Sequence, residues 1–469
     1  MWSGLALPLM LLLSGCPDGG GGGGVAGGAG DTIVYMADQD IPGVVELYLA
    51  TSGTKVNPNL LAGRSVTSFA ITPDRTAVVY IADQDTDDIF ELYRVNLSTP
   101  GVSTKLSGSI VGGEDVTSFA ITPDGTSVVY VADQTTDDAF ELYRTVFDTL
   151  ANAKLNAALG GGEDVLDFRL TPNNSGVVYR ADQDIDTVNE LYQVSFSAPA
   201  VSTRLNPGLP VGRNVSAQYA VAPDSSSVIY VADYDAAGIN ELFQVAFGAP
   251  GTSTKLNPAL TLGKNVIAFE VAPNSASVVY LADQDTNDMF ELYRTVIAGT
   301  ANSKLSGSIA GNEDVTAFTV IPDGSGVAYI ADQDNDEVFE LYRTTFAGLV
   351  NIKLNSALVA DGDVSTFEVI PDSTGVVYLA DQDSDAIAEL YRATFGGGNT
   401  KINPPILTAG RAVLAFTVTS NSSSVIYRAN QDNTNIVELF RTLFASTGAS
   451  TKLNSALALG EDVTDFAVR

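Results

Sequence analysis

Apolar and polar positions along the chain follow one pattern, repeated nine times at intervals of about 50 residues. Residues 115–156 carry it in full. From Asp115 to Thr122 apolar and polar residues alternate, which predicts a strand with one buried face. Pro123-Asp124-Gly125 predicts a tight turn, because proline presets φ and glycine accepts a positive φ. Ser127 to Ala132 is almost continuously apolar, as expected of a strand buried on both faces. A polar turn over Asp133–Asp138 leads to a third strand, Phe140-Glu141-Leu142-Tyr143-Arg144. Lys154-Leu155 marks a short outer strand, and a glycine-rich connection follows. No segment keeps a 3.6-residue apolar period for three turns, so no helix is predicted.

Two aromatic positions define the organisation of the repeats. A Tyr closing the apolar strand recurs at Tyr35, Tyr80, Tyr130, Tyr179, Tyr230, Tyr280, Tyr329, Tyr378 and Tyr427. An upstream aromatic recurs at Phe69, Phe119, Phe168, Tyr219, Phe269, Phe318, Phe367, Phe416 and Phe466. The first Tyr has no aromatic before it and the last Phe has no Tyr after it, so the two ends can complete each other. A unit this small cannot bury a core alone and must stack on its neighbours. The expected fold is all-β, a β-propeller of about nine four-stranded blades closed by pairing of the N- and C-terminal strands. Two smaller rings or an open arc are the alternatives, and the even spacing without a central linker favours one ring. A parallel β-helix ranks lower, since its coils are shorter and lack a hairpin turn between strands.

The N-terminus reads as an address. Leu5 to Leu13 is an apolar run too short to span a bilayer and of the length of a signal-peptide core. It ends in Leu13-Ser14-Gly15-Cys16, which resembles the bacterial lipobox, and Cys16 is the only cysteine. The resemblance implies lipidation at Cys16 and an extracytoplasmic, membrane-anchored protein in the periplasm or at the outer membrane or cell surface. The expected domains are a lipoprotein signal peptide at 1–16, a glycine-rich tether at 17–30 and the propeller at 31–469.

Composition narrows the chemistry. The net charge is −32, from 56 acidic and 24 basic residues. Nucleic acid is excluded as a partner, because neutralising phosphates takes Lys and Arg. Such charge favours solubility, cations or a basic partner. The chain has no histidine. Ser-His-Asp and Cys-His nucleophiles, histidine bases and zinc sites are thereby excluded.

The run Ala120-Ile121-Thr122-Pro123-Asp124-Gly125, then Val129-Tyr130-Val131-Ala132-Asp133 and Glu141-Leu142-Tyr143, is similar to the WD40-like (PD40) repeats of TolB-type propellers. The turn proline recurs at Pro73, Pro172, Pro223, Pro273, Pro322 and Pro371, and Ser420 replaces it in the last such turn. The resemblance implies an extracytoplasmic propeller that binds other proteins. Similar repeats precede the catalytic domain of prolyl-oligopeptidase-like peptidases, which need a G-x-S-x-G elbow and a histidine that this chain lacks.

The second turn has metal-like spacing. Asp83, Asp85, Asp87 and Glu91 occupy positions 1, 3, 5 and 9, as do Asp182, Asp184, Asp186 and Glu190. Asp332, Asp334, Asp336 and Glu340 repeat the set, and so do Asp381, Asp383, Asp385 and Glu389. Calcium takes about six to eight oxygens, and alternating carboxylates on a tight loop supply several. The spacing resembles the Ca²⁺ loops of integrin-type propellers, which carry glycine at position 6, where these four sets have Asp88, Thr187, Glu337 and Ala386. The alternative is structural. Turn Asp residues bond their own backbone, and the recurrent Glu (Glu46 through Glu438) can pair with the recurrent base of the outer strand (Lys55 through Lys452). The acids repeat around the ring, whereas an active site is normally one asymmetric exception. The expectation is therefore a non-catalytic, membrane-tethered scaffold with an unidentified protein partner. A calcium-binding structural or adhesive module is the alternative, and a carbohydrate-active enzyme using a carboxylate pair is a more distant one.

Overall fold

The computed structural model describes residues 30–469 except 109, 111, 112, 137, 298, 300, 310 and 312. Cys16, the apolar run Leu5–Leu13 and residues 17–29 lie outside the described residues. Every helix or strand element among the described residues is a strand, and the strands form nine antiparallel sheets of four. In one blade Val116–Ile121, Ser127–Ala132, Glu141–Val146 and Asn152–Lys154 lie side by side in that order, innermost first. The second strand is buried along its whole length, as its apolar run predicts.

The innermost strand departs from plain alternation. Its pairing shifts register between Val116 and Ser118, and the corresponding shift occurs in all nine blades. A bulge of this kind adds twist, and Thr117, the extra residue, is exposed.

The ends close one ring. Val463–Val468 pairs with Ile33–Ala37 and sets Phe466 opposite Tyr35. Thr32 and Arg469 exchange both backbone hydrogen bonds, at 2.8 and 3.0 Å. Asp31 spans the seam, accepting from Arg441 at 3.0 Å and from Asn421, a residue of the preceding blade's first turn, at 3.3 Å.

The aromatic positions form a single rung across each blade. Phe119 lies opposite Tyr130, Tyr130 opposite Tyr143 and Tyr143 opposite Lys154. In every blade the ring of the second strand stacks on that of the third, at 5.4 to 5.7 Å. The core lies between blades. Val79, Ile81, Leu92 and Leu106 of one blade pack with Val116, Val128 and Tyr130 of the next. Each such large side chain contributes about 1.5–3 kcal/mol by its burial.

The turn after the innermost strand takes a left-handed residue in eight blades, yet only Gly125 and Gly324 are glycine. Arg75, Asn174, Ser225, Ser275, Ser373 and Ser422 take it with φ of 55 to 61°. Several of them bond the neighbouring blade. Ser225, Ser275, Ser373 and Ser422 accept the backbone N–H of Asn173, Asp224, Asp323 and Asp372, at 3.0 to 3.1 Å. A hydrogen bond of this type offsets part of the left-handed strain.

A chain truncated after Asp462 leaves Ile33–Ala37 without its inner partner. Thermal unfolding followed by near-ultraviolet circular dichroism should then lose its cooperative transition. A transition unchanged from the full chain would show that closure contributes nothing.

Candidate functional site

Strand direction alternates, so the acidic turns share one end of the ring with the connections from outer strand to next inner strand. The Pro-Asp turns lie at the opposite end, with one Asp each in five of them: Asp74, Asp124, Asp224, Asp323 and Asp372. Side-chain bonds confirm the shared end. Arg64, on such a connection, donates to the Gln84 carbonyl at 2.6 Å, and Arg213 donates to the Tyr234 carbonyl at 2.6 Å.

The structure does not bring the four carboxylates of a set together. The first faces backbone. Asp83 accepts the Ser65 N–H at 2.7 Å. Asp182 accepts from Asp164 and Thr187, Asp332 from Asp314 and Glu337, and Asp381 from Asp363 and Ala386, at 2.5 to 3.2 Å. The second lies on the outer-strand base: Asp85–Lys105 at 2.9 Å, Asp184–Arg204 at 3.1 Å, Asp334–Lys353 at 2.7 Å and Asp383–Lys401 at 2.8 Å. The third, Asp87, Asp186, Asp336 or Asp385, is exposed. The fourth, Glu91, Glu190, Glu340 or Glu389, is buried and takes the same base as the second, at 2.7 Å for Glu91 and 3.4 Å for Glu190. Among the described residues no group of three or more Asp, Glu, His or Cys is placed to hold a metal ion. With each set divided in this way, the donors do not fit calcium, which needs them convergent.

Position 6 takes the left-handed conformation without glycine. Asp88, Thr187, Glu337 and Ala386 have φ of 56 to 65°. In three of these turns the first Asp of the set holds that residue's N–H. The missing glycine therefore marks strain carried by the turn and not a different turn.

The Glu and the base meet in all nine blades. The Glu opens the third strand, and the base lies opposite the Tyr or Phe two residues later, so the pair is a same-face diagonal. Burial alone would lower Lys105, but Glu91 and Asp85 outweigh it and hold the ammonium above its usual range. In four blades the Glu also accepts a backbone N–H of the following connection, from Leu60, Leu209, Leu260 and Ile406, at 2.8 to 3.0 Å.

Asymmetry appears on the innermost strands, where the reading of the acids as a uniform repeat overlooked it. The residue after the aromatic of this strand is Ala70, Ala120, Ala220 or Ala467 in four blades but Arg169, Glu270 and Glu368 in three others. The Arg169 guanidinium stands over the Tyr219 ring at 4.9 Å. Beside it Arg180 pairs with Asp167 at 2.6 Å. Burial raises the Tyr219 hydroxyl well above its ordinary value. Glu270 accepts the Val320 N–H at 2.7 Å, and Glu368 accepts the Val418 N–H at 2.8 Å and the Thr417 hydroxyl at 3.0 Å. Burial between two blades raises both carboxyls to about 7, against those hydrogen bonds. The signal was present in the sequence as charge in a column otherwise made of Ala and Thr.

No family model matches the chain, and no curated protein is similar to it in sequence. Solved structures do share the fold. Dipeptidyl peptidase 4 from Porphyromonas gingivalis matches 90% of this chain and 58% of its own, at 12% identity and a TM-score of 0.50. Oligogalacturonate lyase from Vibrio parahaemolyticus matches 88% of this chain and 98% of its own, at 14% identity and 0.44. A TolB-type protein from Agrobacterium tumefaciens matches 50% of this chain and 78% of its own, at 14% identity and 0.34. The chain thus spans less than two thirds of the peptidase's length. Likeness at this identity carries the fold alone. It nevertheless overturns the expectation that the chain is not an enzyme. A peptidase carries a propeller of the same fold, and the inner strands hold the asymmetric charge whose supposed absence supported that exclusion.

Two outcomes test these assignments. A carboxyl raised to about 7 in the fold stabilises fully below its unfolded value near 4.5, and that stability is lost as pH rises through about 7. The Glu270→Gln/Glu368→Gln variant should therefore melt higher than the parent at pH 8 and close to it at pH 4.5. Equal melting temperatures at pH 8 would contradict the assignment. Lys255→Met leaves the buried Glu241 without its partner and should cost about 1–3 kcal/mol in denaturant unfolding. Adding Glu241→Gln should restore part of that loss.

Proposed function

We propose that the chain is an extracytoplasmic propeller, tethered through a lipid on Cys16, that binds a protein partner at its acidic end. The observation that carries this reading is the greater number of exposed carboxylates at that end, beside the single exposed Asp that five of the Pro-Asp turns carry at the other. Exposed carboxylates such as Asp87, Asp186, Asp336 and Asp385 crown one end, on turns tied down by ion pairs whose glutamates are buried. Fixed charge on a rigid rim steers and orients a partner of opposite sign. The lipobox-like Leu13-Ser14-Gly15-Cys16 supports the tether.

Each half has its own test. Cys16→Ala in the full chain should move the protein from the membrane fraction to the soluble fraction, and an unchanged membrane fraction contradicts the anchor. A photo-crosslinking residue at position 336, on the acidic end, should give discrete protein adducts in the native cell. The same residue at position 323, on the opposite end, should give none. Adducts only from 323 would reverse the assignment.

A further inference from the structure

The acidic end also presents large aliphatic side chains where turns normally carry small or polar ones. Four consecutive connections hold Val359, Leu407, Leu459 and Leu61, which are 36, 89, 74 and 65% exposed. They run across the seam of the ring, from the connection before Val364–Val369 to the one before Val66–Ile71. Two of these connections anchor one apolar residue inward and turn the next outward. Leu60 and Ile406 are buried, and Glu46 and Glu389 hold their N–H groups at 3.0 and 2.8 Å. Leu61 and Leu407 follow directly.

The turns that display these residues are closed by backbone bonds: Arg64 to Leu61, Arg411 to Thr408, Glu461 to Ala458 and Gly362 to Val359, at 3.1 to 3.2 Å. Arg64 and Arg411 donate to the carbonyls of Gln84 and Gln431. Their guanidinium groups are therefore engaged with the acidic turns. Around the arc stand exposed carboxylates: Asp361, Asp385, Asp432 and Asp87.

We infer that this arc is a docking surface for a cationic amphipathic segment of a partner protein. Aliphatic side chains of the segment would meet Leu407, Leu459 and Leu61, and its lysines or arginines would meet the surrounding carboxylates. Held apolar side chains ringed by charge form the centre and rim of a protein interface. The sign of the rim selects a basic partner and disfavours an anionic lipid surface. The inference rests on the proposed binding at the acidic end and adds the place and the chemistry.

The test uses the folded chain and two synthetic peptides of equal length and charge, one of Lys and Leu in amphipathic order, the other of Lys and Ser. Isothermal titration should show the Lys/Leu peptide binding more tightly than the Lys/Ser peptide, and weakening with salt. Leu61→Ser/Leu407→Ser/Leu459→Ser should weaken the Lys/Leu peptide by about tenfold or more and leave the Lys/Ser peptide unchanged. Val102→Ser/Val201→Ser, at exposed positions outside the arc, should change neither. Equal binding of both peptides, unaffected by the triple variant, would overturn the arc while leaving an acidic end that binds bases. Binding of neither peptide would overturn the arc and count against the acidic end as well.

Discussion

The glutamate that opens each third strand is the constraint on which the ring depends. It is 0 to 6% exposed in every blade, and an ionised carboxylate at that depth is tolerated only if it is paired and hydrogen-bonded. The outer-strand Lys or Arg supplies the charge, and in six blades the neighbouring tyrosine adds a hydroxyl. A two- or three-residue outer strand has little hydrogen bonding of its own to keep it in place. The ion pair fixes it, and in four blades the same carboxylate reaches on to the next connection. One buried charge thus ties the third strand to the outer strand in every blade, and in those four to the entry of the next blade as well.

The acidic turns look different once that tie is known. Their spacing matched a calcium loop because both structures place carboxylates on alternate residues of a tight reversal. In the loop those oxygens converge on an ion. Here Asp85 goes to Lys105, Asp83 to backbone and Glu91 into the blade. The base supplied by the outer strand occupies the place where a cation would sit, and it is covalently part of the chain.

The fold was legible because it is repeated. Tyr35 and Phe466 announced closure from opposite ends of the sequence, and the apolar run at Ser127–Ala132 announced a doubly buried strand. What stayed hidden was register. Nothing local says that Lys154 lies opposite Tyr143, so the meeting of Glu141 with Lys154 could be suspected but not read. The bulge at Thr117 was invisible because a one-residue shift leaves composition unchanged. The candidate sites were less legible for a related reason. Repetition directs attention to what recurs, whereas Arg169, Tyr219, Glu270 and Glu368 matter by departing from their column. The aliphatic arc was hidden in another way, since Leu60 and Leu61 are the same residue with opposite exposure, distinguished by the hydrogen bond that the Leu60 N–H donates to Glu46.

The bond between Asp31 and Asn421 has a consequence for orientation. Asn421 belongs to the end of the ring that carries the Pro-Asp turns, so the polypeptide enters the propeller there, opposite the acidic end. Any surface that holds the protein by its N-terminus would therefore lie beneath the Pro-Asp end, and the carboxylate rim would point outward, away from that surface, like the open side of a bowl.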